Sequence, residues 1–268
     1  AITALVLAMG ADSAELARIL SRPATFTGFF DGPLIGSYRS VTHNNRPDWH
    51  SDVPRGVHPM NFIRGRVRQI ANWATLVSLL AALARAGAFG STSDPIIQRL
   101  INSPEGYLYN LVFDRGLFPG FAPRNFLSGL ISGFLSNKIM QYTGGLIVSS
   151  PNGGDLNFRL FHQFTGVDLV ITGTNVTKKR PSVFSLRHTP DFPVSEAVGI
   201  SMNLPFLFKP VYVEADVPVG PLNRNADDYH GFWVDGGLLN NFPLHAFDHL
   251  QTPPSRRFPN LLPLHPNV

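Results

Sequence analysis

Asp235 is the residue whose setting points most directly to chemistry. It follows the short apolar run Gly231 to Val234 (GFWV) and is itself followed by Gly236 and Gly237. A carboxylate at the carboxyl end of such a strand stands where open α/β sheets place their sites, because the loops at that edge form the crevice. The two glycines allow a sharp turn or a close approach by another group. A carboxylate there can accept a proton from a nucleophile or a water. Taken alone, strand-Asp-Gly-Gly also reads as an ordinary turn.

Histidines offer rival chemistry. His245 and His249 follow Asp235 in the Asp-then-His order of hydrolase triads, an arrangement that still needs a serine on a sharp elbow. An exposed helical or loop histidine is the simpler reading of His245. His43, Asp48, His50, Asp52 and His58 form the densest group of potential metal ligands, but their spacing matches neither H-E-x-x-H nor a Cys/His finger. Loops rich in Asn, Asp and His arise for turn-forming reasons alone, so no metal is expected. The absence of Cys excludes thiolate zinc sites, disulfides and a cysteine nucleophile. Asn175-Val176-Thr177 is a glycosylation sequon in a strand-end segment and is read as coincidental.

Composition narrows the classes further. The 268 residues are 44% hydrophobic and 15% charged, with 22 Lys+Arg against 18 Asp+Glu, a formal charge of +4. That is enough apolar material for a sizeable core and argues against disorder. The one basic run, Lys178, Lys179 and Arg180, is read as a solvated loop, so no nucleic-acid partner is expected. The opening AITALVLAMG is too short for a membrane span and lacks the flanks of a signal peptide; it reads as a helix already under way. Trp73 to Ala84 (WATLVSLLAALA) is apolar nearly all round and is expected to be a buried core helix.

The elements that must position Asp235 follow from the periodicity. Helices are expected at Ile2 to Ala8, at Ser13 to Leu20 with Asp12 or Ser13 as cap, at Ile63 to Arg85, at Pro123 to Leu135, at Asp155 to Gln163 and at Val194 to Met202. Strands are expected at Val167 to Thr174, Ser182 to Leu186, Leu207 to Val213 and Gly231 to Val234. Gly28 to Pro59 shows neither period and is expected to be a long loop insertion in a single domain. Helices alternating with nearly continuous apolar strands point to an α/β sheet covered on both faces.

Three blocks in order carry a resemblance. Asp191-Phe192-Pro193-Val194-Ser195-Glu196-Ala197-Val198, the run Ser201 to Val211 (SMNLPFLFKPV) and the run Val234 to Pro243 (VDGGLLNNFP) closely resemble the consecutive blocks of the patatin-like phospholipases. Weaker similarity reaches Gly116-Leu117-Phe118, Phe161-His162, Val167 to Asn175 and the opening helix. The resemblance implies a three-layer α/β/α domain with a mainly parallel central sheet, and a lipid acyl hydrolase with a Ser-Asp dyad. Asp235 matches the family's base. Gly236 and Gly237 would shape the turn that aims it, and Asn241 and Pro243 would fix the loop after it. A serine hydrolase of this kind needs no cofactor.

The family's G-x-S-x-G elbow has no counterpart here; the nearest string, Gly199-Ile200-Ser201-Met202-Asn203, lacks the final glycine. Nor is the family's glycine-rich oxyanion loop present. The chain is therefore expected to begin just after the elbow, with the serine three positions ahead of Ala1, and to be inactive and poorly soluble when expressed alone. The alternative is a catalytically silent lipid-binding or scaffold protein of the same fold. Expected partners are a phospholipid or other acyl ester and, transiently, a membrane surface, in a cytoplasmic or peripheral membrane setting. Phe29, Phe30, Phe118 and Phe121 are candidates for an apolar rim touching bilayer or acyl chain, while the other phenylalanines are expected in the core.

Overall fold

The computed structural model describes residues 1–21, 26–42, 47–143, 156–214, 226–241 and 243. Helix α1 (Ile2–Ala8) is the expected opening helix and buries Ile2, Leu5 and Val6. Helix α2 (Ser13–Leu20) starts at Asp12, whose Oδ1 accepts a hydrogen bond from the Glu15 N–H at 2.7 Å. Such a cap satisfies one of the orphaned N–H groups of the first turn.

The stretch Gly28 to Pro59, expected as a loop, carries two strands, β1 (Ser37–Val41) and β2 (Pro47–Ser51). They pair antiparallel, Ser37 opposite Ser51 and Val41 opposite Pro47. Polar residues in SYRSV and PDWHS interrupt the alternation that would have announced them. A proline and polar side chains are nevertheless at home on an edge strand such as β2.

Four helices follow: α3 (Pro59–Val67), α4 (Trp73–Arg85), α5 (Pro95–Asn102) and α6 (Pro104–Phe113). The single helix expected over Ile63 to Arg85 is broken between α3 and α4, where Asn72 takes φ +63°, a left-handed conformation that a continuous right-handed helix excludes. Helix α4 is also not the buried core helix expected. It buries Trp73, Ala81 and Ala84 on one side, while Leu76, Leu79 and Leu83 stand exposed on the other. Helices α5 and α6 were not expected, although each opens with proline in its first turn after Asp94 or Ser103, a recognisable start signal.

The remaining elements are β3 (Gly116–Phe118), α7 (Phe121–Thr143), α8 (Phe158–Thr165), β4 (Val170–Asn175), β5 (Arg180–Ser185), α9 (Val194–Ile200), β6 (Phe206–Phe208), β7 (Val211–Val213) and β8 (Gly231–Asp235). Helix α7 extends the expected Pro123 to Leu135 helix in both directions. Of the helix expected over Asp155 to Gln163, Asp155 lies outside the described residues and α8 begins at Phe158. The single strand expected over Leu207 to Val213 is two: Lys209-Pro210 divides it between separate sheets.

The main sheet has six strands in the order β2-β1-β7-β8-β4-β5, and β3 pairs with β6 in a second, two-stranded sheet. The α/β class is as expected, but the pairing of the main sheet is mixed and not mainly parallel. Among the described residues only β1–β7 is parallel there; β1–β2, β7–β8, β8–β4 and β4–β5 are antiparallel. The short connections over 42–46 and 176–179 impose two of these pairs, β1–β2 and β4–β5, because a parallel crossover needs roughly a dozen residues or more. Central strands β7 and β8 bury Val211, Val213 and Trp233 in one cluster with Leu5, Phe161, Ile171, Phe184, Phe192 and most of α9. A second, smaller cluster of Ile63, Val67, Trp73 and Tyr109 holds α3 and α4 on α6. Among the described residues no helix is long and apolar enough to cross a membrane.

Candidate active site

Asp235 ends β8, a strand paired on both sides, with Gly173 of β4 directly opposite the carboxylate residue. Its N–H donates to the Asn203 carbonyl at 2.9 Å, which ties the strand end to the loop after α9. Its Oδ1 accepts from the Gly237 N–H at 3.1 Å and so caps the single 3₁₀ turn Gly236–Leu238. The side chain is half-buried. A Cβ added at Gly237 would sit 3.4 Å from Asp235 Oδ2.

The glycines are not equivalent. A Cβ on Gly236 would lie 2.5 Å from Thr172 Oγ1 and 2.6 Å from the Thr172 carbonyl oxygen, so β4 passes too close for any side chain. At Gly237 the nearest atom is Asn241 Oδ1, at 3.0 Å, the end of a side chain that can shift. The structure therefore brings Asp235, Gly236, Gly237 and Asn241 together. Pro243 is half-buried, with Asn241 exposed two residues before it. His245 and His249 lie outside the described residues, as does His43 of the proposed ligand group. Asp48, His50 and His58 are on β2 or at the cap of α3, and the described residues contain no cluster able to hold a metal ion.

Helix α1 packs Ile2, Leu5 and Val6 into the same core cluster as Trp233 of β8, the strand that ends in Asp235. Around Asp235 the surface is apolar: Leu204, Phe206, Leu238 and Leu239 are exposed, Phe206 by 70%. The rim is thus not the one expected. Phe29 and Phe118 are buried and Phe30 packs against Phe118 and Phe208, leaving only Phe121 of that group exposed.

Registers place further features on the same sheet edge. Ser51 is opposite Ser37, Arg39 lies beside Val211, and Val211 is opposite Trp233. The start of β1 and the end of β2 therefore share the edge where Asp235 stands, with β2 about 14 Å away at ordinary strand spacing. An open cleft of about 790 Å³ borders that edge, walled by Leu34, Ile35, Trp49, Val53, Pro59 and Phe121. Its size falls in the range of small-molecule sites.

Two buried ionic groups support the site from behind, and neither was expected from the sequence. Glu196 of α9, 1% exposed, receives Arg39 of β1 through Nη2 at 2.5 Å and Nε at 3.2 Å. Arg124 of α7 lies 3.4 Å from the same carboxylate, close enough for attraction but not aligned as a hydrogen bond. Arg124 instead donates to the Gly120 carbonyl at 2.7 Å, and burial lowers its pKa. Nearby Asp31 accepts from the Ala122 N–H, keeps Oδ1 unpartnered, and is raised above the usual carboxylate range by desolvation. Lys209 donates to Asp114 at 2.7 Å, to the Ser37 carbonyl at 2.9 Å and to the Leu34 carbonyl, clamping the start of β1 beside β6 and β7.

Other polar features do not form a rival site. Ser185 Oγ and His188 Nδ1 are 2.8 Å apart, but that oxygen also accepts the Arg187 and His188 N–H groups, a local turn three residues long. The sequon residue Asn175 is fully buried, with Nδ2 donating to the Asp228 and His230 carbonyls, so it is not an acceptor in the folded chain.

Comparison with known proteins bears on the family. The family model described as patatin-like phospholipase matches residues 1–248. A protein of Invertebrate iridescent virus 6, named a probable lipid hydrolase, is 28% identical over 111 residues, covering 41% of this chain and 33% of its own. An uncharacterized protein of Acanthamoeba polyphaga mimivirus is 32% identical over 81 residues, 30% of this chain and 22% of its own. The chain thus aligns with a third or less of the length of these curated relatives. No solved structure matches significantly. With the family match running from the first residue through the Asp235 loop, the chain belongs to the patatin-like phospholipase family.

Proposed function

We propose that the complete protein is a lipid acyl hydrolase of the phospholipase A or lysophospholipase type, with Asp235 as the base of a Ser-Asp dyad. The observation that carries this reading is the position of Asp235 at the end of the central strand β8, held by the tight Gly236-Gly237 turn at the sheet edge. The family resemblance pairs such a carboxylate with a serine nucleophile, for which the 268 residues hold no G-x-S-x-G elbow. Gly237 occupies Oδ1, which leaves Oδ2 to receive a proton.

In this scheme the serine oxygen attacks the ester carbonyl carbon while its proton passes to Asp235. Collapse of the tetrahedral intermediate breaks the bond to the alcohol oxygen, and Asp235 returns the proton to that leaving group. Water then attacks the acyl-serine, gives a proton to Asp235, and releases the fatty acid as the serine is regenerated. The intermediate's oxyanion needs fixed donors, which the family resemblance assigns to a glycine-rich loop outside these 268 residues. The apolar cleft at the β1–β2 end of the same edge supports a long acyl chain as part of the substrate.

The lack of G-x-S-x-G in the 268 residues favours one other reading, a silent lipid-binding or scaffold protein of the same fold. Labelling by a fluorophosphonate, which traps an activated serine, separates the two. The hydrolase reading expects the complete protein to be labelled and to release fatty acid from a lysophospholipid, and residues 1–268 alone to do neither. A complete protein with no reactive serine and no turnover would establish the silent reading instead.

A further inference from the structure

Residues 53–93 differ in charge from the rest of the chain. Between Asp52 and Asp94 there is no acidic residue, yet the segment holds Arg55, Arg64, Arg66, Arg68 and Arg85. All five are exposed, and no salt bridge involves any of them among the described residues. A net charge of +4 for the whole molecule therefore conceals one segment that carries five exposed arginines and no acid. Arg66 packs over the Phe62 ring at 5.3 Å, which holds its stem against the protein surface.

The same segment carries the outward leucines of α4. Leu76, Leu79 and Leu83, spaced by three and four residues, lie along one side of the helix, 43%, 53% and 40% exposed, and Phe89 just beyond the helix is 51% exposed. The inner side is narrow, with Trp73, Ala81 and Ala84 buried near α5 and α6. Arg85 follows the leucines directly, and α3 supplies Arg64 and Arg66 from a second helix on the same support, α6.

We propose that α3 and α4 form a docking surface for an anionic lipid bilayer, the leucines and Phe89 entering the interface and the arginines meeting acidic headgroups. This inference rests on the lipid hydrolase reading and names the surface by which that enzyme reaches its substrate. Apolar side chains flanked by arginines on a polar helix face suit an anionic interface. A second copy fits poorly, because a symmetric contact through this face would set arginines against arginines. The placement is productive: β2 leaves the sheet at Ser51, on the edge shared with Asp235, and leads into α3 past the apolar cleft.

The test uses the complete protein and vesicles of ether-linked lipids, which contain no ester to hydrolyse. Co-sedimentation is expected with vesicles of phosphatidylcholine and phosphatidylserine, to fall with added salt, and to be weak with phosphatidylcholine alone. The triple variant Leu76→Ser, Leu79→Ser, Leu83→Ser and the triple variant Arg64→Glu, Arg66→Glu, Arg68→Glu should each lose about tenfold or more of that binding. Turnover of a soluble short-chain ester should be unchanged in both, which also verifies their folding. Equal binding by wild type and both variants, or no preference for the anionic vesicles, would overturn the proposal. So would a dimer in sedimentation that the leucine variant abolishes without affecting vesicle binding. Failure of ester turnover with binding intact would sink the hydrolase reading and leave this surface standing.

Discussion

Asp235 and Gly236 illustrate how closely a proton-transfer group is held by its neighbours. The backbone N–H of Asp235 donates to the Asn203 carbonyl, and its carboxylate accepts from the Gly237 N–H. Gly236 lets the chain turn within van der Waals contact of Thr172. Gly236→Ala should therefore destabilise the fold by about 1–3 kcal/mol, as overpacking does, measured as a lowered urea midpoint at unchanged slope. Gly237→Ala should cost less, because only the Asn241 side chain must move. Asp31 gives a pH-dependent counterpart. Burial raises its folded pKa, so the folded state binds the extra proton first. The associated stability is fully present below the unfolded carboxylate value of about 3.9 and is lost as pH rises through the higher folded value. Asp31→Asn should flatten that decline, keeping the Ala122 contact through its amide oxygen; thermal melts from pH 4 to 7 that show identical slopes in the two proteins would refute this.

At the scale of elements, the site depends on ties between segments far apart in sequence. Glu196 joins α9 to β1 and α7, bridging 157 residues to Arg39. Glu196→Gln removes the one carboxylate that faces both Arg39 and Arg124, and should cost about 3–5 kcal/mol, the usual penalty for stranding buried charge; chemical unfolding would measure it. These ties also mark what was legible beforehand. Strand β8, helix α9 and the Asp235 turn were readable because each is contiguous and its pattern is local. Strands β1 and β2 were not, since SYRSV and PDWHS gain strand character from pairing with each other and with β7. The buried helix expected at Trp73 to Ala84 became a surface helix for a related reason. Hydrophobicity alone does not say whether a leucine faces protein, and only the tertiary contacts of Ala81 and Ala84 decide which side turns inward.

For the whole molecule, one sheet edge organises the arrangement. Asp235, the start of β1, the end of β2 and the apolar cleft share it, and β2 leads from it into the arginine-bearing α3, which packs on α6 as the leucine-bearing α4 does. The hydrogen-bonded sheet thus sets the spacing between the proposed membrane-facing surface and the carboxylate that would act on lipid drawn from it. The central claim is that this carboxylate works directly on a serine without a histidine between them. Hydrolysis of a long-chain acyl ester by the complete protein, compared in wild type and in Asp235→Ala, His245→Ala and His249→Ala, tests it most directly. Turnover should fall by about 10²–10⁴-fold in Asp235→Ala and stay near wild type in both histidine variants; a collapse in either histidine variant, or full activity in Asp235→Ala, would contradict it.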